Sequence, residues 1–136
     1  AAFVARGAAR RPNGLLAAAG DVGNRVAFIE PSDERIIGMV AVGEHPAAVR
    51  FSPDGRTLYV ADRAETYLDV VDVRSRTVRG RIRVGLHPIG IAGDARRLFV
   101  ADSDDDDVSV VDLATNTVTK IIKAGSGPWG IVVLER

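Results

Sequence analysis

A segment pattern that returns at a nearly constant interval limits a chain more than any other feature, because each copy must form the same supersecondary unit. Gly43-Glu-His-Pro46 returns as Gly85-Leu-His-Pro88, 42 residues later. Leu58-Tyr-Val-Ala-Asp62 returns as Leu98-Phe-Val-Ala-Asp102, and Leu68-Asp-Val-Val-Asp72 as Val108-Ser-Val-Val-Asp112, both at 40. A more worn copy precedes them, with Pro12-Asn-Gly14 answering Pro53-Asp-Gly55 and Asp21 answering Asp62, both at 41. The repeats fall at about 1–43, 44–85 and 86–125, leaving a segment at 126–136.

Each repeat parses into four short strands. In the second copy the spans are 47–51, 58–61, 67–73 and 78–84, with Ser52-Pro-Asp-Gly55 as a tight turn between the first two. The fourth strand alternates, placing Val78, Ile82 and Val84 on one face and Arg79, Arg81 and Arg83 on the other. Strands this short, rich in Val and Ile, four to a repeat and near this period, imply an all-β fold of radially arranged blades.

The run from His45-Pro46 through Phe51-Ser-Pro-Asp-Gly55 to Leu58-Tyr-Val-Ala-Asp62, then Val70-Val-Asp72 and Val84-Gly85, resembles the YVTN-type β-propeller repeat. The third copy departs in its first turn, where Gly93-Asp-Ala-Arg96 replaces Ser-Pro-Asp-Gly and two residues are missing. The first copy lacks His-Pro and has a weak first strand around 7–10. The resemblance covers almost the whole chain and implies propeller blades of four antiparallel strands. For function it implies a range, since such propellers serve as binding platforms, enzymes and enzyme subunits alike.

Ser126-Gly-Pro-Trp129 and the apolar run 131–134 match the connection and first strand of a following blade. A closed ring needs at least about four blades. The expectation is therefore either the C-terminal part of a larger propeller, or two copies closing one six-bladed ring by exchanging terminal strands. In both cases 131–134 would act as a closing strand beside residues 15–19 of a first repeat.

Composition narrows the rest. Charge balances to a formal net of zero, against a dedicated nucleic-acid binder. No apolar run approaches the roughly 18 residues that cross a bilayer as a helix. Cysteine is absent, which removes disulfides, thiolate metal sites and a cysteine nucleophile. The chain begins at Ala1 without methionine, as a processed protein or a fragment would.

Two kinds of loop share one face of the disc: the Gly-x-His-Pro connections between blades, and the connections led by Asp62 and Asp102 between second and third strands. His45 and His87 are the only histidines. Imidazoles around an axis could bind a metal or move a proton. Read plainly, each is a turn residue held extended by the following proline. Sitting on separate blades, the two lack the spacing of a metal motif.

Asp102 and Asp104–Asp107 form a dense acidic run that fails the helix-loop-helix calcium pattern, whose glycine would fall at Asp107 and closing Glu at Leu113. It reads as a solvated loop, one that could face a basic partner. Arg74, Arg76, Arg79, Arg81 and Arg83 read as edge-strand charges that block aggregation. Trp129 reads as core packing or ring closure ahead of ligand stacking. Ser126 lacks the Gly-x-Ser-x-Gly context, so no residue is assigned to catalysis.

These residues point to a non-catalytic propeller module that presents His45, His87, Asp62, Asp102 and Trp129 on its loop face to a ligand or protein. No metal or cofactor is assigned. The expected partner is a protein or a second copy that completes the ring, with no nucleic acid and no membrane. The resemblance carries the alternative, an exported bacterial propeller enzyme or a propeller subunit of one, of the lyase, lactonase or quinone- or haem-dependent oxidoreductase type. It also implies a periplasmic or extracellular location.

Overall fold

The computed structural model describes residues 5–11, 14–20 and 23–131. Its strands form three four-stranded antiparallel sheets, each in simple sequential order. The first blade is β1 (Ala5–Arg10), β2 (Leu16–Gly20), β3 (Arg25–Glu30) and β4 (Arg35–Ala41). The second is β5 (Pro46–Phe51), β6 (Thr57–Asp62), β7 (Tyr67–Asp72) and β8 (Thr77–Arg83). The third is β9 (Pro88–Gly93), β10 (Arg97–Asp102), β11 (Asp107–Asp112) and β12 (Thr117–Lys123), with a single 3₁₀ turn at Ser103–Asp105.

The apolar residues pack between blades. One core joins Val26, Phe28 and Val40 of the first blade to Val49, Leu58, Val60 and Val71 of the second. Another joins Leu68, Val70 and Ile82 of the second to Leu98, Val100 and Val111 of the third. A central strand is thus covered on both faces, which is why β6 is buried throughout and reads as an apolar run without alternation. The inner strands β1, β5 and β9 lie side by side. Their approach is close: a Cβ on Gly7 would stand 2.5 Å from the carbonyl oxygen of Ala47, a spacing only glycine permits. The sheets are propeller blades.

Two expectations need correction. Val78, Ile82 and Val84 do not share a face. The β7–β8 ladder passes from Val71–Val78 to Val70–Gly80, so a bulge at Arg79 reverses the alternation. Val78 therefore packs into the first core while Ile82 and Val84 pack into the second. The β3–β4 and β11–β12 ladders break at the matching place.

The second correction concerns closure. The edge beside Leu16–Gly20, expected to receive the run 131–134, is occupied by β1, which pairs with β2 through Ala8–Ala18 and Arg10–Leu16. Residues 132–134 lie outside the described residues, as do Asp21 and the Pro12-Asn13 portion of the first turn.

The third blade ends on an uncovered surface. Val40 and Ile82 occupy matching places on β4 and β8, where the next blade leaves them only 6% and 1% exposed. Ile122 holds that place on β12 and is 41% exposed.

Candidate functional site

The loop face is organised around the point where each blade hands the chain to the next. Asp62, at the end of β6, is completely buried. It lies directly beneath Gly43, where a Cβ would come within 2.8 Å of the Asp62 carboxyl and 2.9 Å of the Tyr67 hydroxyl. Asp69 on β7 accepts the Gly43 N–H through Oδ2 at 2.7 Å, and its Oδ1 accepts from Arg81 Nε at 3.0 Å. The Arg81 guanidinium lies over the Tyr67 ring, 4.4 Å from its centroid.

Treated as an anion, Asp62 would have no donor for either oxygen. Burial, followed by its hydrogen bond with Asp69 and that residue's charge, pushes the Asp62 carboxyl up to about 10. Protonated at neutral pH, the Asp62 carboxyl can donate to Asp69.

The third blade repeats the device with different parts. Asp102 is again fully buried and accepts the Gly85 N–H at 3.1 Å. Ser109 takes the place of Asp69 and donates its hydroxyl to Asp102 Oδ2. Asp107 takes the place of Tyr67 and faces Lys123 Nζ at 3.8 Å. Burial raises the Asp102 carboxyl to about 7; the Ser109 hydroxyl opposes this rise and Asp107 adds to it. In the first blade, the Ala19–Val26 pair matches Ala61–Leu68, so Gly20 rather than Asp21 occupies the place of Asp62. The buried carboxylate belongs to the second and third blades.

His45 and His87 depart from expectation. Neither is extended: their φ angles are +55° and +59°, in the left-handed region. Histidine is among the few non-glycine residues enriched there. The conformation turns each carbonyl back onto the loop of its own blade, where His45 accepts from Arg63 N at 2.8 Å and His87 from Ser103 N at 3.0 Å. Gly127, also followed by proline, has φ +53° and is the third member of the series. His87 Nδ1 stands 3.4 Å from Asp104 Oδ2.

The acidic run is also corrected, since it is not simply solvated. Asp102 and Asp107 are buried, Asp105 accepts the Leu86 N–H at 2.8 Å, and Asp106 accepts the Gly127 N–H at 2.8 Å. Among the described residues, no three His, Cys, Asp or Glu side chains converge in a way that could hold a metal ion.

Trp129 stands beside the third blade. Its carbonyl oxygen lies where a Cβ on Gly90 would meet it at 3.0 Å, as Ala47 lies against Gly7, while its side chain is 76% exposed. The segment after β12 thus follows the path that β5 takes past β1.

No protein-family profile matches this sequence, and no curated protein does. Solved structures match well. Hydrazine synthase of Kuenenia stuttgartiensis aligns over 93% of this chain with a TM-score of 0.87 at 26% identity. AztD of Citrobacter koseri aligns over 90% in two structures, each with a TM-score of 0.75, at 17% and 16% identity. Both are propeller proteins. The chain is an arc of propeller blades. It spans 38% of the matched hydrazine synthase chain and 35% of the AztD chain.

On this arc the five residues singled out from sequence separate by role. Asp62 and Asp102 are buried under the blade-to-blade glycines, and the crossover amides are held by Asp69 at Gly43 and by Asp102 at Gly85. His45 and the His87–Asp104 pair stand at the surface of that face, and Trp129 is exposed in the segment after β12. The residues missed were Asn24, Asp69 and Ser109, which complete the junctions. The matched spacing of Asp69 and Ser109 within Leu68-Asp-Val-Val-Asp72 and Val108-Ser-Val-Val-Asp112 was the available signal.

Proposed function

We propose that the chain is a non-catalytic propeller module whose loop face binds a ligand or protein partner. One observation carries this reading: the two carboxyls at the blade-to-blade crossovers of that face are spent internally. Asp62 and Asp102 are sealed beneath Gly43 and Gly85, while Leu86, the His87–Asp104 pair and Trp129 remain accessible around them. Rigid buried supports beneath exposed, chemically varied loops make a recognition surface. Binding of this kind uses His45 and His87 as hydrogen-bonding groups and Trp129 as an apolar contact.

A second reading follows from the hydrazine synthase likeness, namely that the chain is the propeller part of an enzyme assembly whose chemistry resides elsewhere. A periplasmic or extracellular setting suits both readings. Photo-crosslinking in the producing cell tests the proposal and separates the two. A photoreactive residue at Glu44 or Leu86 is expected to capture a discrete partner, while one at Thr77 or Thr119 on the opposite side captures none. Capture of a catalytic subunit selects the second reading; equal capture from both faces defeats the loop-face assignment.

A further inference from the structure

A broad cleft lies on the face opposite the histidines, at the seam between the first and second blades. It encloses about 740 Å³. Its floor is apolar, formed by Leu15, Phe28 and Val73, and its rim carries Arg11, Arg56, Arg74, Arg76 and Arg79. Three acids also line it, but each is engaged by a neighbouring turn. Asp54 accepts from Ser52 Oγ at 2.6 Å and Arg56 N at 3.0 Å, Asp72 accepts from Ser75 N at 3.0 Å, and Glu30 accepts from Ser32 Oγ at 3.0 Å.

The repeat supplies an internal control. The corresponding seam between the second and third blades, whose first turn is two residues shorter, has a cleft of only about 350 Å³. At the places of Arg74, Arg76 and Arg79 the third blade carries Ala114, Asn116 and Thr119. The Asn116 backbone keeps the left-handed turn of Arg76, with φ +55° against +56°. A blade therefore forms this turn and this bulge without arginine, so neither requires the three guanidiniums, of which Arg79 also donates to Thr57 Oγ1 at 2.8 Å and lies 4.0 Å from Asp72 Oδ2. Nor do they serve only as edge-strand charges. Arg74 and Arg76 in the β7–β8 turn and Arg79 at the bulge line the cleft, while Arg81 bonds Asp69 at the other end of the strand.

We infer that this seam is a binding site for a small polyanion carrying two or more carboxylate or phosphate groups on a compact apolar body. Guanidinium forks pair with such groups bidentately, and the apolar floor accepts the body between them. The volume suits a small molecule. The site is independent of the loop face and lies across the blades from it.

Calorimetric titration of the full chain with citrate and with inorganic pyrophosphate, at fixed ionic strength, tests the assignment. Saturable binding of one or both is expected, and the preferred probe identifies carboxylate or phosphate as the favoured group. The variant that installs the third blade's own residues, Arg74→Ala with Arg76→Asn and Arg79→Thr, should bind at least about tenfold more weakly. Arg76 also donates to the Ile37 carbonyl at 3.0 Å, so Arg74→Ala alone serves as the milder change and should still weaken binding severalfold. Arg83→Ala, outside the cleft, should leave affinity unchanged. Absence of saturable binding by either probe, equal affinity in the variants, or an equal loss with Arg83→Ala overturns the site.

Discussion

Asp106 and Gly127 are joined across a blade boundary, the Gly127 N–H donating to Asp106 Oδ1 at 2.8 Å. The same bond links the first two blades, where His45 N donates to Asn24 Oδ1 at 3.0 Å. Asn24 and Asp106 are both left-handed, with φ +53° and +55°, at matching points of their loops. One blade thus holds the residue that leads into the next.

This predicts the behaviour of the segment after β12. Asp106→Asn retains the acceptor and the left-handed preference, and should keep the Gly127 amide protected from hydrogen exchange. Asp106→Gly retains the backbone but loses the acceptor, at a cost of about 1 kcal/mol, and should raise exchange at Gly127 severalfold. Equal protection in the two variants would show that the bond does not hold the segment.

A second prediction concerns the open seam. The contrast between Ile122 and its counterparts Val40 and Ile82 marks a surface built to be covered. The isolated chain should self-associate, and Ile122→Lys should shift it toward monomer with little loss of fold. Ile82→Lys, at a site already covered, should unfold it. Light scattering after size exclusion separates these outcomes. A stable, monodisperse monomer of the unaltered chain sinks the open-seam argument.

The buried carboxyls set the pH dependence. Asp102 and Asp62 retain protons up to about 7 and about 10, against the ordinary value of 3.8. Folding therefore takes up protons above that value, and stability contributed by these groups is lost as pH rises toward 7 and then toward 10. Each group contributes a slope of up to about 1.4 kcal/mol per pH unit within its window. Turn carboxylates act in the opposite sense. Asp54, Asp72 and Asp94 are lowered chiefly by bonds from Ser52, Ser75 and Arg96, so their contribution disappears as pH falls below the ordinary range. Urea midpoints should peak on the acid side of neutrality, and Asp102→Asn should flatten the decline between about pH 4 and 7. A midpoint that climbs from pH 4 to 7 in the unaltered chain contradicts the protonated pairs.

Glycine substitutions probe the same junctions sterically. Alanine at Gly43 or Gly85 would place its methyl within 2.8 Å of the Asp62 carboxyl or 2.7 Å of Asp102 Cγ, both packed from every side. Each should cost about 1–3 kcal/mol in chemical denaturation. Gly80→Ala, with nothing within 4 Å, should be neutral or gain roughly 0.5 kcal/mol. If all three behave alike, close approach at the junction is not what selects glycine there.

The blades were legible because periodicity and turn chemistry agree. The expected strand 58–61 is β6 at Thr57–Asp62, and 78–84 is β8 at Thr77–Arg83. The bulge at Arg79 was not legible, since one skipped residue leaves the apolar pattern of β8 looking regular while sending Val78 and Ile82 to opposite seams. The conformation of His45 and His87 was hidden for another reason. A following proline favours extended backbone, and only the bonds to Arg63 and Ser103 show what holds both residues in the left-handed region. The basic cleft escaped because its arginines come from two blades, with Arg11 far in sequence from Arg74.

The bonds that His45 N–H donates to Asn24 and Gly127 N–H donates to Asp106 share one polarity: in both, the acceptor comes first in the chain. Each acceptor sits in a hairpin loop formed by local pairing, and its donor emerges only after the rest of that blade has been made. Assembly by this route has a direction. As the chain leaves the ribosome, the completed first and third blades each present a docking point for the segment that follows, so growth from the N-terminal side extends an existing template instead of searching for one. Started from the C-terminal side, His45 and Gly127 would find no acceptor waiting, and the crossover would rest on the Gly43 and Gly85 amides, whose acceptors Asp69 and Asp102 come later in the chain.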